Sequence, residues 1–156
     1  MTETKPWHQQ VVIPALLRHA RNTYGVAMRQ ALADAGYDDI PANGLYVLGG
    51  LAMGAGDAPL GELIRELRIS KQAAGQLVDS LVTRGYLKRD VDERDRRKLT
   101  ITLTERGQAA AATQAGAREL IDAELIARVG QANVNIARRT LAALIEIGKL
   151  TNGAKA

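Results

Sequence analysis

Residues 60–107 read LGELIRELRISKQAAGQLVDSLVTRGYLKRDVDERDRRKLTITLTERG, and two changes of rhythm inside that stretch decide the fold. Leu60, Leu63, Ile64 and Leu67 recur at steps of three and four, the spacing of one apolar helical face. Arg68 and Ile69 interrupt the step and read as a turn. Ser70 follows, and its hydroxyl suits an N-cap because it can accept an orphan N–H of the next helix. From Lys71 to Thr83 the helical rhythm resumes, with Ala74, Leu77, Val78 and Leu81 inward. Lys71, Gln72, Gly75, Gln76 and Asp79 are left on the opposite face, and Arg84-Gly85 closes the helix. The period then drops to two. Tyr86 to Val91 and Leu99 to Leu103 each alternate, which predicts a β-hairpin with a long charged tip, DERDRRK, at residues 92–98. Thr104 is placed to cap the helix after it, and Glu105 in that first turn complements the helix dipole.

Outward from this stretch the chain is helical on both sides. Leu16, Leu17, Ala20, Tyr24, Ala27, Met28, Ala31, Leu32 and Ala35 predict a long first helix, with Pro14 near its start and Gly36 as its stop. Residues 37–42 form a connector, and Leu45, Leu48, Leu51 and Ala52 a second, short helix. MGAGDAP, residues 53–59, reads as a loop. After the hairpin an alanine-rich helix runs from Glu105 to about Val129, and Gly130 breaks it. A last helix carries Val134, Ala137, Leu141, Leu144, Ile145 and Gly148 on one face. The fold class is mainly α with a small β-hairpin wing: a winged helix-turn-helix with dimerisation helices at both termini. The expected divisions are 1–36 for an N-terminal dimerisation helix, 37–104 for the winged helix-turn-helix, and 105–156 for the C-terminal helices. The apolar stripes of the first and last helices exceed what one small lobe can cover, so they should intertwine with a second copy.

Composition removes several classes of function. The 156 residues include no cysteine, which excludes disulfides, thiolate metal sites, a cysteine nucleophile and a thiol redox sensor. An apolar fraction of 46% and a charged fraction of 24% are those of an ordinary globular protein. No apolar run reaches the roughly 18 residues of a membrane span, and the N-terminal segment lacks signal-peptide character, so a cytoplasmic protein is expected. The net charge of +4 is mild, but residues 70–98 hold eight basic and five acidic residues and so carry +3 of it. A charge run can be a solvated face; here it lies on a hairpin beside an exposed polar helix. The major groove of DNA admits one α-helix, and the narrow minor groove attracts an inserted arginine. Double-stranded DNA is therefore the expected partner.

The same stretch, with D-x-R-D-R-R at residues 92–97 and L-T-x-x-G at residues 103–107, resembles the MarR family of transcription regulators. The resemblance spans essentially the whole chain. It implies a homodimeric winged-helix regulator, repressor or activator, with a repressor the favoured reading, on a pseudo-palindromic operator, released by a small effector of aromatic or anionic character. Carried over by position, Ser70, Lys71, Gln72 and Gln76 face the major groove, and Arg94 and Arg96 enter the minor groove. Asp92 and Asp95 support the wing, and Arg97 is either a phosphate contact or part of a wing-base ion pair. Gly75 and Arg84 complete the DNA-binding set. The chain departs from the family at Gly75, often β-branched there, and at Gln76, often an arginine. Gly75 either permits closer approach to DNA or is merely tolerated.

Trp7, His19, Tyr24 and Tyr46 are candidates for an effector pocket, with core packing as the competing reading. His8 and His19 have no metal-motif spacing, no cofactor motif is present, and no Gly-rich phosphate loop or nucleophile elbow supports an enzyme. Two other readings remain open: a winged-helix module that contacts protein, and a ligand carrier without operator binding.

Overall fold

The computed structural model describes residues 4–53, 60–91, 93–97 and 99–153. A 3-10 turn at Trp7–Gln9 precedes α1 (Ile13–Asp34), α2 (Gly44–Met53), α3 (Leu60–Leu67) and α4 (Lys71–Thr83). The hairpin strands β1 (Leu87–Val91) and β2 (Leu99–Leu103) follow, then α5 (Glu105–Val129) and α6 (Gln131–Gly153). The loop expected at residues 53–59 lies outside the described residues from 54 onward. The chain divides into two compact units, Met1–Arg118 and Glu119–Ala156, with the boundary inside α5.

In the first unit the core forms where α1, α2, α4, β1 and α5 meet. Leu32, Val47, Leu48, Leu77, Leu81, Tyr86, Leu87 and Ala110 make one buried cluster. The amphipathic reading of α4 holds residue by residue: Ala74, Leu77, Val78 and Leu81 are buried, while Lys71, Gln72, Gly75, Gln76 and Asp79 are exposed. Ser70 caps α4 as expected, its Oγ accepting the Ala73 N–H at 3.1 Å. Arg68, in the turn before it, takes a left-handed conformation with φ 52°.

Two helices end in the same way, and that shared ending organises the unit. Gly36 and Gly85 sit at φ 85° and 81°, a conformation that costs glycine nothing. After α1 the Gly36 N–H reaches the Ala33 carbonyl at 3.1 Å and the Tyr37 N–H reaches Leu32 at 2.7 Å. After α4 the Gly85 N–H reaches Val82 at 3.0 Å and the Tyr86 N–H reaches Leu81 at 2.9 Å. Both are Schellman motifs, which satisfy the last carbonyls of a helix and turn the next residue back toward it. Here that residue is a tyrosine each time, and the two rings meet edge-on at 6.3 Å.

The Tyr86 ring is fully buried, so its hydroxyl needs partners. It donates to Asp39 Oδ1 in the connector between α1 and α2. Arg106, in the first turn of α5, donates through Nη2 to the Tyr86 hydroxyl at 3.0 Å and to Asp39 Oδ1 at 3.3 Å. Its guanidinium carbon lies 4.6 Å from the Tyr86 ring centre and 5.3 Å from that of Tyr37. Thr104 seats the start of α5 on the same point. Its N–H donates to the Tyr86 carbonyl at 3.1 Å, and its hydroxyl accepts the Gly107 N–H at 3.0 Å. Gly107 is required by this approach, since a Cβ there would lie 2.1 Å from the Tyr86 carbonyl oxygen.

The two strands pair antiparallel in the register Leu87↔Leu103, Arg89↔Ile101, Val91↔Leu99. The strand differs from its expected reading at one end. β1 begins at Leu87 rather than Tyr86, because Tyr86 belongs to the helix-ending turn, and Tyr86 and Leu87 are consecutively buried. Beyond Leu87 every residue of β1 is exposed, whereas Ile101 and Leu103 on β2 pack against the core.

In the second unit, α5 continues to Val129 and α6 begins at Gln131, with Gly130 at the break. Large apolar side chains remain exposed along it, among them Leu120, Leu141, Leu144, Ile145, Ile147 and Leu150.

Burial first, and then the hydrogen bond to Asp39, pushes the Tyr86 phenol up from 10.0 to about 12. The hydrogen bond from Tyr86 holds the Asp39 carboxyl below its ordinary 3.8. A phenol raised on folding stabilises fully below its unfolded value and loses that contribution as pH rises through the folded one. For Asp39 the stabilisation is present above the unfolded value and is lost as pH falls through the lower, folded one. Tyr86→Phe keeps the ring but removes the hydroxyl, and should lower unfolding free energy by about 1–3 kcal/mol near neutral pH. It should also flatten the fall in stability between pH 10 and about 12. Denaturant midpoints measured against pH check both effects, and parallel curves for variant and wild type across that window would exclude Tyr86 as the titrating group.

Candidate nucleic-acid interface

The exposed face of α4 follows from its own periodicity. Leu77, Val78 and Leu81 must face the core, so Gln72, Gly75, Gln76 and Asp79, spaced by three and four residues, share the outside. Lys71 adds a cation in the first turn, next to the Ser70 cap. Gly75 has open space around it: a Cβ there would meet nothing within 4 Å. The fold therefore does not require this glycine.

Arg94, Arg96 and Arg97 are exposed on the hairpin tip. Asp95 shapes that tip by accepting the Arg97 N–H at 3.1 Å, a turn held by a side chain two residues back. Asp92, expected to support the wing, lies outside the described residues. Arg84 donates from Nη1 to the Asp39 carbonyl, which fastens the end of α4 to the connector.

An ion pair that the sequence reading missed joins helix to wing. Arg89 on β1 donates through Nη2 to Asp79 Oδ1 on the outer face of α4. Their spacing of ten residues crosses a helix end and a strand start, so no helical or strand periodicity announces the pair. Along the same strand Lys88 lies 3.5 Å from Asp90, whose Oδ2 accepts the Thr102 hydroxyl at 3.3 Å.

A cavity of about 480 Å³ opens between α2, β2 and α5, walled in part by Leu51, Ile101, Leu103, Ala111, Gln114 and Arg118. Trp7, His19, Tyr24 and Tyr46 do not line it. Trp7 is 71% exposed, with its ring edge against His8, and His19 is exposed on α1. Tyr24 is half-buried. Tyr46 is partly exposed and donates its hydroxyl to Glu66, tying α2 to α3; that hydrogen bond pushes the phenol above its ordinary 10.0.

Helix, turn, capped helix and projecting hairpin, in that order on one core, define a winged-helix module. Residues 38–98 match the model of the MarR family. Over those residues the chain is similar to the MarR family, and the module they form is a winged helix. No curated protein matches it by sequence. Among solved structures, FabT of Streptococcus pneumoniae in complex with DNA is similar at a TM-score of 0.73 and 18% identity, over 91% of this chain and 97% of that one. The S. aureus MepR–DNA complex is similar at a TM-score of 0.68 and 18% identity, over 87% and 98%. S. aureus MepR bound to ethidium bromide is similar at 0.59 and 17%, over 88% and 97%.

Glycine inside a helix costs about 1 kcal/mol relative to alanine. With open space at Gly75, Gly75→Ala should stabilise the protein by about that amount. Thermal or chemical unfolding measures it, and a destabilised variant would show that the position is strained in a way its surroundings do not reveal.

Proposed function

We propose that the chain is a dimeric, ligand-responsive transcriptional repressor that binds a pseudo-palindromic operator. The observation that carries this reading is the pairing of an exposed polar face on α4 with an arginine-bearing hairpin tip, Arg94, Arg96 and Arg97. In this reading α4 enters the major groove, with Gln72 and Gln76 presenting amides to base edges. Ser70 and Lys71 face the same groove from the N-terminus of the helix. Arg94 and Arg96 enter the minor groove, and Arg97, Asp92 and Asp95 keep the tip in shape. Arg84 holds the end of α4 and contacts phosphate from there. FabT and MepR are both solved with DNA on this fold, and MepR also with ethidium, which supports a DNA partner and a small-molecule effector.

The dimer rests on exposed apolar surface. On α1, Ile13 is 64% and Val26 56% exposed; on α6, Ile145 and Ile147 are each 61% exposed. Apolar faces of that kind on two long helices mark an interaction surface. A second copy related by a two-fold axis would cover them and set two α4 helices about 34 Å apart, one turn of DNA. Among the described residues no helix is long and apolar enough to cross a membrane. In this reading the protein acts in the cytoplasm.

Binding-site selection on wild type and two kinds of variant tests the interface. Glutamine can bond adenine N6 and N7 together, whereas arginine favours guanine O6 and N7. Gln76→Arg should therefore move one base pair per half-site toward G·C, with a discrimination of about 1–3 kcal/mol. Arg94→Ala and Arg96→Ala should weaken every operator and leave the selected bases of the major groove unchanged. Identical preferences in wild type and Gln76→Arg, with undiminished affinity in the wing variants, would overturn the interface.

Sedimentation tests the assembly. Leu141→Glu with Leu144→Glu places two charges on the apolar face of α6, and should convert a dimer to monomers and abolish tight operator binding. A double variant that still sediments as a dimer would remove α6 from the interface.

A further inference from the structure

In the reading above α1 carries part of the dimer face and α4 the base-reading face. Both helices lie in the first compact unit, and the tyrosines that follow their C-terminal ends meet. Arg106 reaches every part of that junction. Its Nη2 bonds the Tyr86 hydroxyl, after α4, at 3.0 Å and Asp39 Oδ1, after α1, at 3.3 Å. Its guanidinium carbon stands 4.6 Å from the Tyr86 ring centre and 5.3 Å from that of Tyr37. Arg84, at the C-cap of α4, adds a second tie to the same connector through the Asp39 carbonyl.

Cohesion of the two helices does not depend on these polar groups. Leu32 on α1 and Leu77 and Leu81 on α4 already share one buried apolar cluster. Apolar contact is non-directional, so it holds helices together over a range of angles. Hydrogen bonds to ionised partners are directional, and the planar fork of an arginine fixes an orientation as well as a distance. The Arg106 and Asp39 side chains are 41% and 42% exposed, so their ion pair adds little to stability. What it can fix is an angle, and α4 amplifies an angle. Gln76 stands eight residues before Arg84. That is about 12 Å along the helix, at about 1.5 Å per residue. A swing of about 10° at the junction moves Gln76 by about 2 Å, and the two copies of a dimer by about 4 Å together, against about 3.4 Å between base pairs. We propose that Arg106 is a positioning residue, locking the angle between α1 and α4 through Asp39 and Tyr86 and so setting the half-site spacing that the dimer accepts. The spacing rests on the regulator reading above; the locked angle does not.

The chain has no cysteine, so spin labels can be placed cleanly at Arg21→Cys on α1 and Gln76→Cys on α4, both exposed positions. Doubly labelled chains diluted into excess unlabelled protein report the distance within one chain, whether or not it dimerises. With Arg106 present, pulsed electron resonance should give one narrow distance distribution, and Arg106→Leu should broaden it. Arg106→Lys keeps the charge but not the planar fork and should fall between, which keeps the test in force if the leucine variant does not fold. The unlabelled proteins are then tested on the duplex that wild type selects from a random pool, remade with one base pair added or removed between the half-sites. That change should weaken wild type on the order of a hundredfold and Arg106→Leu by no more than about tenfold, with the same bases preferred inside each half-site. Equally narrow distributions in all three proteins would overturn the proposal, as would variants that lose affinity by one factor at every spacing. If wild type selects no duplex while the variants broaden the distribution, the regulator reading falls and the spacing role with it. Selective DNA binding with unchanged distributions overturns the positioning role alone.

Discussion

The junction of the α1–α2 connector, the end of α4, the root of the hairpin and the start of α5 follows from how the Tyr86 hydroxyl is satisfied. The ring is delivered to the core by the turn that ends α4, and once there it cannot reach water. An unpaired buried hydroxyl would cost more than most single contacts return. Its acceptor, Asp39, comes from the connector after α1, and Arg106 comes from the start of α5. Three segments distant in sequence therefore converge on one oxygen. The bonds involve ionised partners, which makes them stronger than neutral ones. The matching turn at the end of α1 brings Tyr37 to the same place, so that one guanidinium lies near both rings. The cluster ties the end of the first long helix to the root of the hairpin.

That root determines where the hairpin points. β1 starts at the residue after Tyr86, and the carbonyl of Tyr86 receives the Thr104 N–H that ends β2 and opens α5. Both strands thus leave from one anchored peptide. Farther out the Asp79–Arg89 pair is the second constraint. Both side chains are well exposed, and exposed pairs of this kind contribute little to stability. Its consequence is geometric: it keeps β1 against the outer face of α4. The tip beyond it is shaped locally, by the turn that Asp95 makes with Arg97.

The parts of this fold that depend on one element's own rhythm were legible from sequence. The inward and outward faces of α4, the Ser70 cap, the turn at Arg68 and Ile69, and the break at Gly130 are all local properties. Each is encoded within a few residues of where it acts. What escaped were side chains whose partners lie far along the chain. Tyr86 read as the first residue of a strand because alternation does not reveal that a helix-ending turn has claimed it. Asp39 and Arg106 stand 67 residues apart, and nothing local to either marks the partner they share. Gln114 did leave a trace: it falls on the buried face of α5 in step with Ala110, Ala111 and Ala117, where an apolar residue belongs. A polar residue in an alanine stripe is the sequence mark of a buried hydrogen bond or a ligand contact. The tyrosines and Trp7 drew attention as pocket residues because aromatic rings suit ligands. The cavity is instead lined largely by small and aliphatic side chains, which no aromatic search would find.

The cavity and the outer face of α4 are linked through the hairpin. Ile101 lines the cavity, and its partner across the β-ladder is Arg89, the residue that binds Asp79 on α4. One step of strand pairing and one ion pair therefore separate a ligand seated against β2 from the helix proposed to read DNA. A ligand shifts a conformational equilibrium only by the difference in its affinity for the two states. Ile101 is paired with Arg89 in the ladder, so a displacement of β2 at Ile101 would be felt by the backbone of Arg89. The weak, exposed Asp79–Arg89 pair can then yield at small cost, while the Tyr86 cluster at the root holds. Reorientation would be confined to the hairpin beyond Leu87. A two-fold dimer must present both hairpins and both recognition helices in register with one DNA molecule, so a small rotation repeated in each copy is enough to spoil the fit at both half-sites.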